Sequence, residues 1–263
     1  MAGMVKHWKT AMWLIAPLTI PFGVLVMRSV GSSPQQHGVA LAATEEKPKQ
    51  VPAEAKERLK KMTDYLAALK SFKVENATTD EIVTKTGEKI QIAADSRVSL
   101  VRPNRLRSEQ IVSPNAMTFV YDGKTITLYC KATNTYGIAP APATLDPMID
   151  MVRSKYGADT PGADLIYSNP YDVLMEQVKS GAVVGPEVIE GTLTQHLAFT
   201  GETVDWQIWI RDGNDPLPMR YVITTKDLPN RPQFTVELTH WEPHAVIEES
   251  VFSFTPPPDA KSS

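Results

Sequence analysis

The chain has 263 residues, enough for one large domain or two small ones with a sizeable core. Its 27 Lys and Arg against 30 Asp and Glu leave a net charge of -3, which excludes the basic stripe of a nucleic-acid binder and an acidic solvating tail. A single cysteine, Cys130, excludes an intramolecular disulfide and a cysteine-rich metal site, and 21 prolines against 14 glycines fit many turns between short strands.

Lys6, His7 and Lys9 precede an apolar run from Ala11 to Met27, the pattern of an export signal, and Ala40 and Ala42 offer a small-x-small cleavage site. Two features pull against each other. Arg28 to Gly38 make a long gap before that site, while a run of about 17 residues interrupted by Pro17 and Pro21 is short for a membrane span. Residues 1–42 are read as an export signal, either cleaved or kept as an inner-membrane anchor. No cysteine follows the run, which excludes a bacterial lipoprotein anchor. Residues 43–51 are polar and charged and read as a linker.

A helix is expected from near Pro52 to about Leu69, with Leu59, Met62, Leu66 and Leu69 on one stripe. Strand-like runs follow at Phe72–Thr79, Glu81–Ile92 with a break at Gly87, Arg97–Val101 and Arg105–Val112. Met117–Tyr121 and Thr125–Cys130 flank Asp122-Gly123, a strong hairpin signal, and put Met117, Phe119, Tyr121, Ile126, Leu128 and Cys130 on the inner face. Cys130 is then a small core residue.

The middle changes period. Leu145, Met148, Ile149, Val152 and Tyr156 recur at helical spacing behind Thr144, with Asp146 favourable near the helix start. Asn169-Pro170 opens a second short helix carrying Tyr171, Leu174, Met175 and Val178, expected to end at Gly181. Strands resume at Ala182–Glu190, Leu193–Thr200 and Gln233–His240. Between the last two lies the clearest alternation in the chain: Val204, Trp206, Ile208 and Ile210, then a turn at Asp212–Pro216, then Met219, Tyr221 and Ile223 in phase. Trp209 breaks this alternation and, with Trp241, is expected to be exposed. Phe252 and Phe254 precede Thr255-Pro256-Pro257-Pro258, where the ordered domain, residues 52–257, should stop and a disordered tail, 258–263, begin.

About ten antiparallel strands, each with one apolar face, need a cover, and three amphipathic helices are the only candidates for it. The expected fold is mainly β: one strongly curved antiparallel sheet, a half-open barrel, with helices covering its concave face.

His196–Phe199 (HLAF), Val204–Gly213 (VDWQIWIRDG), Pro216–Thr224 (PLPMRYVIT), Pro232–Trp241 (PQFTVELTHW) and Phe252–Pro257 (FSFTPP) together resemble a family of predicted periplasmic proteins of unknown function. That family is grouped with the fold of the bacterial outer-membrane lipoprotein carrier and its receptor. The resemblance covers roughly Pro52 to Pro257 and implies a half-open barrel with a helical lid, whose concave face in the carrier holds acyl chains. It implies a pocket without naming the ligand, because one scaffold hosts unrelated functions.

On this reading the residues facing a hydrophobic ligand are Phe119, Tyr121, Met148, Ile149, Val152, Leu174, Met175, Trp206, Ile208 and Tyr221. The same residues would serve equally well as an ordinary dry core. The expected partners are a lipid or lipoprotein acyl chains, with a membrane or envelope protein as a further contact and no nucleic acid. No catalytic residue, metal or cofactor is assigned. A rival reading is a non-catalytic interaction module with a filled core; a third is a metal-dependent hydrolase using His240, Glu242 and His244, two imidazoles and a carboxylate at alternate positions of an extended chain. His196, with no nucleophile to serve, is read as a surface or structural histidine.

Overall fold

The computed structural model describes residues 50–111, 116–158 and 160–262; the expected export signal and the linker up to residue 49 lie outside them. Helix α1 (Ala53–Ala68) starts after Pro52, which occupies the cap position rather than the first turn. Its stripe of Ala55, Leu59, Met62 and Leu66 is fully buried, and each such leucine or methionine contributes about 1.5–3 kcal/mol. Thr63 is buried on the same helix because its hydroxyl donates back to the carbonyls of Leu59 and Lys60.

Six strands then run outward in sequence: β1 (Ser71–Val83), β2 (Lys89–Val101), β3 (Arg105–Gln110), β4 (Met117–Tyr121), β5 (Thr125–Cys130) and β6 (Thr135–Pro140). Each pairs antiparallel with the one before it. The runs read from sequence as 72–79, 81–92 and 97–101 are in fact one long hairpin, β1 and β2 in unbroken register about a turn at 84–88. Gly87 sits in that turn, while Asp80 and residues 93–96, which lie between the expected runs, are ordinary strand positions. Strand β6 is not among the strands expected from the sequence.

The chain next crosses the concave side through helix α2 (Leu145–Tyr156), a short 3-10 turn at Ala163–Ile166 and helix α3 (Pro170–Met175). Helix α2 stops at Gly157, whose φ of +61° lets its amide and that of Ala158 reach back to the carbonyls of Arg153 and Val152. Helix α3 ends six residues before the expected stop at Gly181. That glycine is a strand residue opposite Phe199, and a Cβ there would lie 2.8 Å from the Phe199 ring.

The return half, β7 (Val178–Ile189), β8 (Thr192–Gly201), β9 (Val204–Arg211), β10 (Pro218–Thr225) and β11 (Gln233–Pro243), works inward from the opposite edge until β11 pairs with β1. Among the described residues the sheet has twelve strands in the order β12-β6-β5-β4-β3-β2-β1-β11-β10-β9-β8-β7, with β12 (Lys261–Ser262) as its last member. One open, curved, mostly antiparallel sheet with helices on its concave side is the architecture expected from the alternation and the helix count.

The C-terminal segment corrects the expectation of a tail. Beyond a 3-10 turn at Glu249–Phe252 it runs over the outer face, where Phe254 packs against Tyr129 and Tyr136, and β12 pairs parallel with Thr135 and Tyr136 of β6. Cys130, expected in the core, is half-buried.

Candidate functional site

The two halves of the concave face are filled differently. Over β8, β9 and β10 the side chains close on one another: Phe199 stacks on Trp206 at 4.1 Å, and Tyr221 meets Trp206 edge-on at 5.9 Å. Helix α1 is fastened to the end of the β9–β10 hairpin by Lys61, which donates to the Gly213 carbonyl, and by Tyr65, whose hydroxyl donates to Asp215 at 3.1 Å. Burial pushes the Tyr221 hydroxyl far above its ordinary pKa, as expected of a phenol with no access to water.

Over the central strands the fit is loose. A recess of about 340 Å³ lies between helix α2 and strands β1–β5 and β11, within the range of roughly 300–1,000 Å³ typical of ligand sites. Phe72 and Val74 of β1, Val98 of β2, Leu106 of β3 and Leu238 of β11 line the sheet side; Met148, Ile149, Val152 and Tyr156 line the helix side. The segment Thr160–Ala163 borders it, with Pro161 exposed.

Four of the ten expected ligand-facing residues meet in this recess: Phe119, Met148, Ile149 and Val152. The other six do not. Trp206, Ile208 and Tyr221 are core residues of the filled half, as is Leu174 of α3, while Met175 is half-buried against the same cluster. Tyr121 is fully buried and donates its hydroxyl to the Pro142 carbonyl at 2.6 Å. Alternation identifies an inward face, but it does not say which part of that face a helix covers tightly.

Among the lining residues that sequence reasoning missed, β1 and β11 supply four each. On β1, Phe72, Val74, Asn76 and Thr78 carried the signal at period two inside the expected run 72–79. Trp241 was missed for a geometric reason. At Lys73–Glu75 the β1–β11 register slips by one residue, and His240 at the slip has a φ of +49°. The bulge brings Trp241 to the concave side, where it lines the recess, packs on Phe72 at 5.3 Å and donates its indole N–H to the Pro218 carbonyl. The expectation that it is exposed fails there.

The same bulge disperses the histidine cluster. His240 is exposed with Nδ1 3.2 Å from Glu75, and Glu242 lies 3.7 Å from Lys73. No group of three or more His, Cys, Asp or Glu side chains suited to a metal ion occurs among the described residues.

The segment that roofs the recess is held by polar ties. Tyr167 donates its hydroxyl to Asp150 at 2.7 Å, and Arg153 reaches the Thr160 hydroxyl at 2.7 Å and Asp164 at 2.8 Å. Burial, helped by the bond to Asp150, drives the Tyr167 pKa well above its ordinary value. Asp146 accepts from the Ser168 amide at 3.0 Å, so the two carboxylates of α2 brace the crossover; no side-chain cap bond forms at its first turn. Arg102 donates to the Ile166 carbonyl at 2.8 Å from beneath.

Solved structures to which the chain is similar include LprF from Mycobacterium bovis (16% identity, 80% of this chain and 99% of that one, TM-score 0.46) and an uncharacterized conserved protein from Thermus thermophilus (14%, 80% and 98%, 0.46). A LolA superfamily protein from Nitrosomonas europaea matches at 10% identity over 76% of this chain and 97% of that one, with a TM-score of 0.39. Likeness at this level assigns no function. No curated protein is similar to the chain in sequence. No helix among the described residues is long and apolar enough to cross a membrane. The family model described as "Predicted periplasmic protein (DUF2092)" matches residues 55–262, and the chain belongs to that family of periplasmic proteins.

Proposed function

We propose that this periplasmic protein binds a hydrophobic ligand, a lipid or the acyl chain of an acylated protein, in the recess under α2, and carries it without chemical change. The observation that carries this reading is the contrast within one concave face: a tightly filled half over β8–β10, and a recess of about 340 Å³ with a largely apolar wall over β1–β5 and β11. A flexible chain suits such a space, since Met117, Met148 and the leucines around it adapt in shape and offer few polar groups. Release would follow from movement of the α2 crossover, whose ties to the loop are polar and few. The interaction-module reading calls for a filled concave face with edges or exposed tryptophans to meet a partner, and of those tryptophans Trp209 is buried and Trp241 half-buried.

The test is native mass spectrometry of protein taken from the periplasm without detergent, with lipid analysis of an organic extract, followed by titration with saturated fatty acids of increasing length. Each methylene that enters the recess should contribute about 0.8 kcal/mol, close to fourfold in Kd, until the space is full. Val98→Trp, which fills the recess from β2, should remove both cargo and fatty-acid binding while far-ultraviolet circular dichroism is unchanged. A cargo-free mass together with no fatty-acid binding at any length overturns the reading.

A further inference from the structure

Strand pairing lines up a row of inward residues across the sheet side of the recess. Val74 of β1 faces Val98 of β2, Val98 faces Ser108 of β3, Ser108 faces Phe119 of β4, and Phe119 faces Leu128 of β5. Every member of the row lines the recess, opposite Met148, Ile149 and Val152 of α2. At about 4.8 Å between strands the row spans roughly 19 Å, with Ser108 at its midpoint. Its hydroxyl is the one polar group in the row.

The rows on either side are interrupted. In the row that starts at Phe72, Leu100, Tyr121 and Ile126 are fully buried and take no part in the wall. In the row that starts at Asn76, the register neighbours Ser96 and Gln110 do not line the recess. The Val74–Leu128 row is therefore the unbroken track from β1 to β5, and a flexible apolar chain laid across the strands follows it.

Ser108 differs from the other hydroxyls of the wall. Thr78 donates to the Ala94 carbonyl at 2.9 Å, and Thr160 accepts from Arg153 Nε at 2.7 Å, so both are engaged. The Ser108 hydroxyl has no hydrogen-bond partner among the described residues, and it is not one of the buried atoms shut off from contact; it faces the recess. Val98 and Phe119, its neighbours in the row, offer it nothing. A plain hydrocarbon on this track strips solvent from the hydroxyl without replacing the lost bond, which is costly. A chain with an oxygen at that point restores the bond, since a serine both donates and accepts.

Resting on the hydrophobic-ligand reading above, we infer that the chain held in the recess carries an oxygen near its middle, hydrogen-bonded to Ser108. The row matches an extended chain of about sixteen carbons, each C–C bond of about 1.5 Å advancing it by roughly 1.3 Å, so Ser108 stands at about the eighth carbon from either end. Val74 and Val98 take the hydrocarbon on one side of that oxygen, Phe119 and Leu128 on the other. The shared chemistry is an oxygen inside an otherwise apolar chain, whether a substituent on one acyl chain or an ester joining two shorter ones.

The experiment measures displacement of a fluorescent fatty acid from the full chain by hexadecanoate and by its 2-, 8- and 16-hydroxy derivatives. Wild type should bind the 8-hydroxy acid about tenfold more tightly than hexadecanoate, with no such gain for the 2- and 16-hydroxy acids. Ser108→Ala should reverse the order, because the plain chain then meets a methyl and the ligand hydroxyl is left unpaired. Ser108→Thr, which keeps a hydroxyl, should retain the wild-type order. Hexadecanoate that binds wild type as tightly as the 8-hydroxy acid, with binding lost in Val98→Trp, keeps the apolar recess but overturns the inference. A preference that survives in Ser108→Ala, or that is the same for all three hydroxyl positions, also overturns it. Binding of none of these acids overturns the underlying reading as well. Should Ser108→Ala fail to fold, the positional preference of wild type and its retention in Ser108→Thr decide the matter. Two further competitors, 8-oxohexadecanoate and octyl octanoate, separate the sources: the tighter of the two identifies a substituted chain or an ester.

Discussion

The imidazole of His196 lies flat on the indole of Trp209, ring centroids 3.9 Å apart and planes within 13°. The two are register partners on β8 and β9, on the outer face of the sheet. Glu187 of β7 joins them, accepting from the Trp209 N–H at 2.9 Å and lying 2.7 Å from His196 Nδ1. On the other side Arg220 of β10 stands over the indole and pairs with Glu237 of β11, Nε to Oε1 at 3.0 Å. Planar and charged groups thus span five strands, β7 to β11, where water would otherwise meet the sheet. Trp209 is buried, contrary to its expected exposure, and packs with Ile189, Met219 and Val222.

This arrangement has a pH dependence of determinate sign. The Trp209 N–H, and then His196, hold the Glu187 carboxyl below its ordinary value. A carboxylate with a depressed pKa in the folded state contributes stability that is complete above the unfolded value and is lost as pH falls through the folded one. Glu187→Gln should therefore lower Tm at neutral pH, and the gap from wild type should narrow as pH falls below the ordinary carboxylate range. A gap independent of pH in thermal melts from pH 7 downward would contradict this. Trp209→Ala should cost about 3–5 kcal/mol in denaturant unfolding, as for other buried tryptophans.

Gly181 is required by its neighbour rather than by a turn. Its would-be Cβ meets the Phe199 ring at 2.8 Å and the Ala198 carbonyl at 3.2 Å, and Phe199 is itself stacked on Trp206. Gly181→Ala should destabilise by about 1–3 kcal/mol through overpacking, read as a shift in urea midpoint with an unchanged m-value. Phe199→Leu in the same chain should recover part of that loss, since it removes the ring edge that the new methyl strikes.

The crossover over the recess is tied by Tyr167, Asp150 and Arg153. Tyr167→Phe removes the Asp150 bond and should cost about 0.5–1.5 kcal/mol. Its sharper effect should be local: amide hydrogen exchange in residues 160–168 should quicken while β1 and β11 remain protected. If the crossover gates the recess, fatty-acid dissociation from this variant should accelerate with little change in the limiting affinity.

Arg102 is half-buried, with its Nε and Nη2 out of contact with solvent and unpartnered among the described residues, and burial lowers its pKa against the opposing pull of Asp146. Its one bond to the Ile166 carbonyl, worth about 0.5–1.5 kcal/mol, is set against two unpaired donors that cost about 1–3 kcal/mol each. Arg102→Met should leave stability within about 1 kcal/mol of wild type or raise it, as measured by chemical denaturation. A loss greater than 3 kcal/mol would show that the guanidinium carries more than this single bond.

Much of the fold was legible in the sequence, because the residues that specify it act over short range. Met117–Tyr121, the Asp122-Gly123 turn and Thr125–Cys130 form the expected hairpin with the expected ends. The stripe Leu145–Met148–Ile149–Val152–Tyr156 is buried along helix α2 as its spacing requires. Period two and period 3.6 record which side of an element is apolar, and so they disclosed a one-sided sheet and the helices that must lie on it.

Register, bulges and depth of packing were decided only in three dimensions. Trp206 and Phe119 carry the same alternation signal, yet one is sealed beneath a stacked Phe199 and the other faces open space. Trp241 changes sides because of a single extra residue at His240. A periodic pattern reports one element's own preference for burial; a cavity is a mismatch between elements, set by contacts among residues far apart in the chain.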